Sequence, residues 1–191
     1  MVVPSLSSSM SKPELRAAMR AARKSYVSSL GGDERRRLEE RLATVLKALV
    51  ERAGVVGGYH AVGSEIDVAP VLKLAKSHGL PTFDDESSVF RFRHGPASVS
   101  GPHGIPQPGI DADVVDCSLI LVPLLAIDPK GQRLGQGGGH YDRVLPLLRE
   151  AGATLIGVGW DMQRLDFSLP NEPWDVALDG FASPGGLEMF Q

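Results

Sequence analysis

Between Asp128 and Arg143 the chain reads DPKGQRLGQGGGHYDR, with glycines at 135, 137, 138 and 139. Glycine tolerates positive φ and has no Cβ, so such a run lets bare backbone N–H groups converge on an anion. The helix expected to follow adds the favourable end of its dipole. Phosphate is the guest this composition suits. The spacing differs from the dinucleotide fingerprint G-x-G-x-x-G, because His140 stands where the last glycine would fall, and from a P-loop, because no G-K-[ST] follows. On composition alone the segment also reads as a flexible connector in which Asp142 caps the next helix. Arg133 and Arg143 flank the glycines, either facing a phosphate or solvated.

A second cationic feature lies near the start of the chain. Lys12, Arg16, Arg20 and Arg23 recur at helical spacing, with no carboxylate on the stripe they form. Such a stripe repels itself, and a phosphate would relieve the repulsion. Carboxylates matter here because Mg²⁺ accompanies a triphosphate and takes one or two protein carboxylates plus water. Asp142 is one candidate. Asp175 and Asp179, in the run LPNEPWDVALD that starts at Leu169, read equally as ligands or as turn residues. Glu65 sits in a loop after a strand, where open α/β sheets place ligand contacts, whereas Asp67 reads as a cap. The histidines at 60, 78, 94, 103 and 140 are too scattered for a metal cluster, and no H-E-x-x-H or G-x-S-x-G pattern occurs. Cys117 has no base nearby in sequence and reads as a small buried apolar residue. Trp160 and Trp174 either cover a flat ligand or pack in the core.

These groups need a scaffold, and the hydrophobic pattern supplies one. Ser11-Lys12-Pro13-Glu14 has the capping-box order, so a helix is expected from Ser11 to about Ser28, with Leu15, Met19, Ala22 and Tyr26 inward. A second helix follows Gly31 and Gly32, capped by Asp33, buries Leu38, Leu42, Val45, Leu46 and Leu49, and ends at Gly54. Val55 to Tyr59 then reads as a buried strand, and Asp67 as the cap of a short helix to about Ser77. Pro81 to Phe83 and Val89 to Arg93 are weaker strands, and Gly95 to Pro108 is a loop rich in Gly and Pro. Asp84, Asp85 and Glu86 give the first of these stretches an acidic end. Leu119 to Pro123 is the clearest central strand, a helix spans Tyr141 to Ala151, a strand spans Thr154 to Gly159, and an irregular tail begins at Gly180. Strands alternating with helices predict a largely parallel sheet covered on both faces.

Composition narrows the field. The 191 residues suffice for one well-buried core, and a net charge of -3 provides no global positive field to hold nucleic acid. One cysteine excludes an intrachain disulfide and a thiolate zinc cluster, which favours a reducing cytoplasm. Residues 1–9 lack the basic start and apolar run of a signal peptide, and no stretch approaches the roughly 20 apolar residues of a membrane span, so a soluble protein is expected.

Taken in chain order, the motifs resemble the 5-formyltetrahydrofolate cyclo-ligase family from Lys12 to Asp179. They are K-x-x-L-R at Lys12 to Arg16, the loop glutamate Glu65, I-P-Q-P at Ile105 to Pro108 and V-P at Val122 and Pro123. R-L-G-x-G-x-G-x-Y-D-R follows from Arg133 to Arg143, and L-P-x-E-P-x-D-x-x-L-D from Leu169 to Asp179. The glycine-rich segment is the specific one. The expected fold is α/β: a single three-layer domain over 11–191, with a mostly parallel central sheet flanked by helices. It resembles the ribose-phosphate-isomerase and CoA-transferase-like fold, and residues 1–10 form a disordered tail.

The resemblance also implies ATP- and Mg²⁺-dependent closure of 5-formyltetrahydrofolate to 5,10-methenyltetrahydrofolate, with release of ADP and phosphate. Lys12 and Arg16 would contact ATP phosphates together with Arg133, Leu134, Gly135, Gln136, Gly137, Gly138, Gly139, His140 and Tyr141. Asp142 and Asp175 would hold Mg²⁺. Val62 and Glu65, with Gly138 and His140, would contact the folate, and Arg133, Tyr141 and Asp142 would flank the reacting centre. The expected partners are the two small-molecule substrates, with no nucleic acid and no membrane, and the expected state is a cytoplasmic monomer. The alternative is a non-catalytic folate or nucleotide binder, motivated by His140, where relatives generally have a second aromatic, and by Trp174, where they commonly have a polar residue.

Overall fold

In a computed structural model, which describes residues 6–84 and 89–190, the capping box at Ser11 forms: its N–H donates to Glu14 Oε2 at 2.8 Å, and helix α1 runs over Lys12–Ser29. Leu15, Met19 and, unexpectedly, Arg23 are its buried residues. Helix α2 spans Gly32–Arg52. Its N-cap is Gly31 rather than Asp33, which lies in the first turn, where its charge suits the helix dipole. Of the expected disordered tail, residues 1–5 lie outside the described residues. Leu6 and Met10 pack against a small cluster formed by Leu15, Met19 and Leu125, because these apolar side chains gain by covering α1.

After α2 come β1 (Val56–Gly57), α3 (Ala69–Leu72), β2 (His78–Thr82), β3 (Arg91–Arg93), β4 (Val99–Ser100), β5 (Pro106–Gln107), β6 (Leu119–Pro123), β7 (Ala126–Ile127) and β8 (Arg133–Leu134). Then follow α4 (His140–Glu150), β9 (Thr154–Val158), β10 (Gly180–Ser183) and β11 (Gly186–Met189). The N-cap of α3 is Val68 rather than Asp67, which stands one residue earlier and accepts from Ala69 N–H at 2.9 Å, a two-residue turn that leads the chain into the helix. The helix stops at Leu72 rather than near Ser77, since the following bonds tighten to three-residue turns that bring the chain round to β2. Asp85 and Glu86 lie outside the described residues.

Seven strands form one sheet in the order β11-β10-β9-β6-β1-β2-β3. The five inner strands run parallel, and the two edge strands, β3 and β11, are antiparallel. The stretch from Gly180 therefore is not irregular. Phe181 and Ala182 bury on opposite faces of the sheet, and pairing with β9 and β11 fixes a segment whose own alternation is weak. One face of the sheet packs Leu119, Leu121, Ile156 and Val158 against Leu42, Leu46 and Val50 of α2. The other packs Ile120, Val122 and Leu155 against Val144 and Leu145 of α4. The result is the single three-layer α/β domain expected. Cys117 is buried and its thiol is pushed up to about 12 by burial, with Asp116 adding to the shift, so it is inert packing. Among the described residues no helix is long and apolar enough to cross a membrane.

Leu121 has no exposed surface at the centre of the sheet. Leu121→Ala is expected to lower unfolding free energy by about 2–5 kcal/mol in urea titrations, through lost apolar transfer and the cavity left behind.

Candidate active site

Parallel strands aim their carboxyl ends at one edge of the sheet, and three connections meet there. The loop from Tyr59 to Glu65 leaves β1, Pro123 ends β6, and the β7–β8 hairpin (Ala126–Ile127 with Arg133–Leu134) leads into the glycine-rich turn. Helix α1 lies alongside. Its cationic stripe reaches the turn, but not as free charges. Arg16 Nε donates to Gly135 O at 3.1 Å, Arg20 donates to Gln136 O at 2.6 Å and to Gln136 Oε1 at 3.1 Å, and Arg143 donates to Gly138 O at 3.5 Å. Gly137 (φ +101°) and Gly139 (φ +69°) take the left-handed conformations that let the chain fold so tightly. Pinning the carbonyls to guanidinium groups turns the opposite dipole ends outward. The N–H groups of residues 135–139 donate to no acceptor among the described residues. A row of unsatisfied donors at the start of α4 is an anion cradle.

The turn forms one wall of a cleft of about 560 Å³. Gly135 to Asp142, Arg133, Val62 and Glu65 all line it. Leu134 does not: it is buried in the α1 cluster. Lys12, Arg16 and Asp175 are likewise outside the lining. Lys12 Nζ is 2.7 Å from Asp175 Oδ2, and Arg16 Nε donates to the Gly135 carbonyl, so these bonds brace the segments around the turn. Glu65 ties two loops together, accepting from Gln136 Nε2 at 3.1 Å and from Val62 N–H at 3.0 Å.

Other lining residues carried no local signal. Arg23 sits beneath Glu65 at 3.7 Å and donates to Ser64 Oγ at 3.1 Å and Leu124 O at 3.2 Å. Burial lowers its pKa, and Glu65 opposes that shift. Only the helical spacing of the stripe hinted at Arg23. Phe83 and Phe90 form an aromatic wall with His140 and Tyr141: Phe83 to His140 is 4.9 Å between ring centroids, and Phe90 to Tyr141 is 5.0 Å. Pro102 to Gln107, around the β4–β5 hairpin, complete the wall.

Two atoms there are out of balance. The Tyr141 hydroxyl and His140 Nδ1 are buried with no hydrogen-bond partner among the described residues. Each such orphan costs about 1–3 kcal/mol. Burial pushes the Tyr141 hydroxyl pKa well up, against the pull of Arg133, so it stays protonated and available as a donor. Arg133 stands next to it, its guanidinium carbon 5.8 Å from the Tyr141 ring centre, and pairs with Asp142. Burial lowers the Arg133 pKa, while Asp142, Tyr141 and Asp175 favour its charge.

Asp142 and Asp175 thus bear on one guanidinium. Asp142 bonds Arg133 through Oδ1, and Asp175 bonds Lys12 and Glu172 N–H through Oδ2; neither second oxygen has a hydrogen-bond partner among the described residues. No group of three potential ligands occurs among the described residues, but two carboxylates with spare oxygens fit a hard cation that takes its remaining ligands from phosphate and water.

These features define an α/β protein in which a cleft beyond the carboxyl edge of the sheet joins an anion cradle to an aromatic pocket. The chain belongs to the 5-formyltetrahydrofolate cyclo-ligase family, a family of ligases, which it matches over residues 8–184. It is 32% identical to the 5-formyltetrahydrofolate cyclo-ligase of Mycolicibacterium smegmatis over 91% of this chain and 94% of that protein. A shorter match, 37% identical, joins it to the Haemophilus influenzae cyclo-ligase over 39% of this chain and 42% of that one. Its fold superimposes on the solution structure of Aquifex aeolicus 5,10-methenyltetrahydrofolate synthetase with a TM-score of 0.78 at 29% identity, covering 95% of this chain and 94% of that one.

Desolvation tends to raise the Asp175 pKa, but hydrogen bonds from Lys12 and Glu172 outweigh it, so the folded carboxyl titrates below its ordinary value. Its contribution is full above the unfolded value and is lost as pH falls through the folded one. Between about pH 5 and pH 2 the wild type is expected to lose more stability than Asp175→Asn, measured by urea unfolding at each pH. Parallel curves would show that the Lys12–Asp175 pair contributes nothing.

Proposed function

We propose that the chain catalyses ATP-dependent cyclisation of 5-formyltetrahydrofolate to 5,10-methenyltetrahydrofolate, releasing ADP and phosphate. The observation that carries this reading is the meeting, in one cleft, of free backbone N–H donors and two orphaned polar atoms set among aromatic rings. An N-formyl oxygen is a poor leaving group. Transfer of the terminal phosphoryl of ATP to that oxygen gives an iminium phosphate, with ADP leaving. N10 then attacks the formyl carbon, loses its proton, and inorganic phosphate departs.

The chain's task in this sequence is positioning and charge neutralisation. The N–H groups of residues 135–139 hold the phosphates, and buried Arg133 faces the charge that develops on the transferred group. The aromatic wall of Phe83, Phe90 and Tyr141 takes the pterin, excluding water from the activated carbon. The Tyr141 hydroxyl donates to the folate or its formyl oxygen, and His140 Nδ1 meets a second polar atom. Glu65, held by Gln136 and the Val62 N–H, presents a carboxylate to the pterin's donor edge. Asp142 and Asp175 would hold Mg²⁺, which neutralises phosphate charge when bound. The chain would work as a monomer in the cytoplasm, a reducing compartment in which the free thiol of Cys117 persists.

Purified protein given 5-formyltetrahydrofolate, ATP and Mg²⁺ should produce the near-ultraviolet absorbance of methenyltetrahydrofolate together with stoichiometric ADP; no ATP-dependent rise would refute the reading. Tyr141→Phe removes an oxygen that has no hydrogen-bond partner among the described residues. It is expected to leave the melting temperature unchanged or raise it while lowering kcat/KM roughly tenfold or more. Gly137→Ala strains a position at φ +101° and should weaken ATP binding, by calorimetry, far more than folate binding. Equal losses for both ligands would place the damage outside the cradle.

A further inference from the structure

We infer that Gln136 is a positioning residue that makes the two substrates bind cooperatively, by carrying the state of the glycine turn to the carboxylate of Glu65. This rests on the proposed use of ATP and 5-formyltetrahydrofolate and adds a coupling between them. Of residues 135–139 only Gln136 has a side chain, so it alone can extend a side-chain contact from the turn to the loop after β1.

That contact uses both ends of the amide. Gln136 Oε1 accepts from Arg20 Nε at 3.1 Å, and Gln136 Nε2 donates to Glu65 Oε1 at 3.1 Å. A guanidinium only donates and a carboxylate only accepts, so a group joining them must do both, and an amide does. A carboxylate at this position would repel Glu65, an ammonium would repel Arg20, and an apolar side chain would join neither. Arg20 Nη2 also donates to the Gln136 carbonyl at 2.6 Å. One guanidinium therefore grips the backbone and the side chain of the same residue, and the amide follows its own peptide when the turn moves.

Glu65 is the receiver. Its Oε2 accepts from Val62 N–H at 3.0 Å, and Arg23 Nη1 stands 3.7 Å from its Oε1. Those partners belong to its own loop and to α1. Among the described residues, Gln136 is the one hydrogen-bond partner that the Glu65 side chain takes from the glycine turn. Gln136 is exposed, so the bond competes with water and with the rotamer freedom of a long side chain, and it is only partly made while the glycines are free to move. A phosphate held by the N–H groups of residues 135–139 removes that freedom, fixes Gln136 against Glu65 and sets the carboxylate for the folate. Ordering done by one ligand is not repeated for the other, and by linkage the effect is reciprocal.

In calorimetric titrations of the full chain, 5-formyltetrahydrofolate should bind roughly fivefold more tightly with the saturating, unreactive β,γ-imido analogue of ATP and Mg²⁺ present than without them, and the analogue should gain the same factor from saturating folate. Gln136→Met keeps the length of the side chain and loses both polar ends. Gln136→Asn keeps the amide and is one methylene too short to span Arg20 and Glu65. Both should bring the ratio to within about twofold of one, although both retain the peptide N–H at position 136. The ratio is taken within one protein, so a change in stability or in either ligand's own affinity cancels from it. The inference is overturned if wild type binds the folate equally with and without the analogue, or if either variant keeps the wild-type ratio. Wild type that forms methenyltetrahydrofolate but lacks the coupling would strike this inference alone; wild type that binds neither ligand would strike the proposed function with it.

Discussion

The Asp128 carboxylate has no exposed surface and accepts three backbone N–H bonds: from Lys130 at 2.8 Å, from Gln132 at 2.9 Å and from Leu169 at 2.9 Å. Burying a carboxylate costs several kcal/mol, and only charge-assisted hydrogen bonds of about 1.5–3 kcal/mol each offset it. The first two bonds close the turn of the β7–β8 hairpin. The third fastens the start of the segment that carries Trp174 and Asp175. One buried charge therefore sets the spacing between Arg133 and Asp175, with Leu178 N–H on Gly131 O at 2.8 Å as a further tie. Unmade, any of these bonds would leave both a buried anion and a free loop.

On that frame, opposite charges are sorted by function. The chain is net acidic, yet four cations of α1 face the glycine turn and its surroundings. Each is matched to an oxygen of the protein, so the stripe's self-repulsion is relieved before any ligand arrives. The same bonds polarise the turn. The Gly135 and Gln136 carbonyls are drawn toward α1, and the N–H groups of residues 135–139 donate to no acceptor among the described residues. Arginine suits this task because several fixed donors can satisfy a carbonyl while the charge stays in place.

The scaffold was readable wherever pattern was local. The Ser11 capping box, the β6 run Leu119–Pro123 and the helix after the glycines follow from spacing and apolar content, and the structure has them within a residue or so. The end of the chain was not readable, because Gly180–Ser183 becomes a strand only through pairing with β9 and β11. The glycine turn was legible in composition as a run of bare backbone donors before a helix. What it did not announce is the protein partner of each cation: Lys12 pairs with Asp175, and Arg16 donates to the Gly135 carbonyl. Helical spacing says which side chains share a face, but not whether an oxygen from more than a hundred residues away meets them first.

The two ends of the cleft differ in how they are encoded, and the difference follows from what each must bind. A phosphate is small, charged and always the same shape, so consecutive backbone amides of one turn can hold it, and contiguous residues encode that turn. The aromatic wall has to match a broad, flat, mostly neutral surface. No single turn spans such an area, so Phe83, Phe90, the β4–β5 hairpin and Tyr141 are drawn from segments up to about sixty residues apart, and none looks unusual alone. Tyr141 belongs to both ends: its ring closes the wall and carries the Arg133 guanidinium carbon 5.8 Å from its centre, and its hydroxyl has no hydrogen-bond partner among the described residues. A polar group left without a hydrogen-bond partner among the described residues therefore stands at the junction of the two encodings.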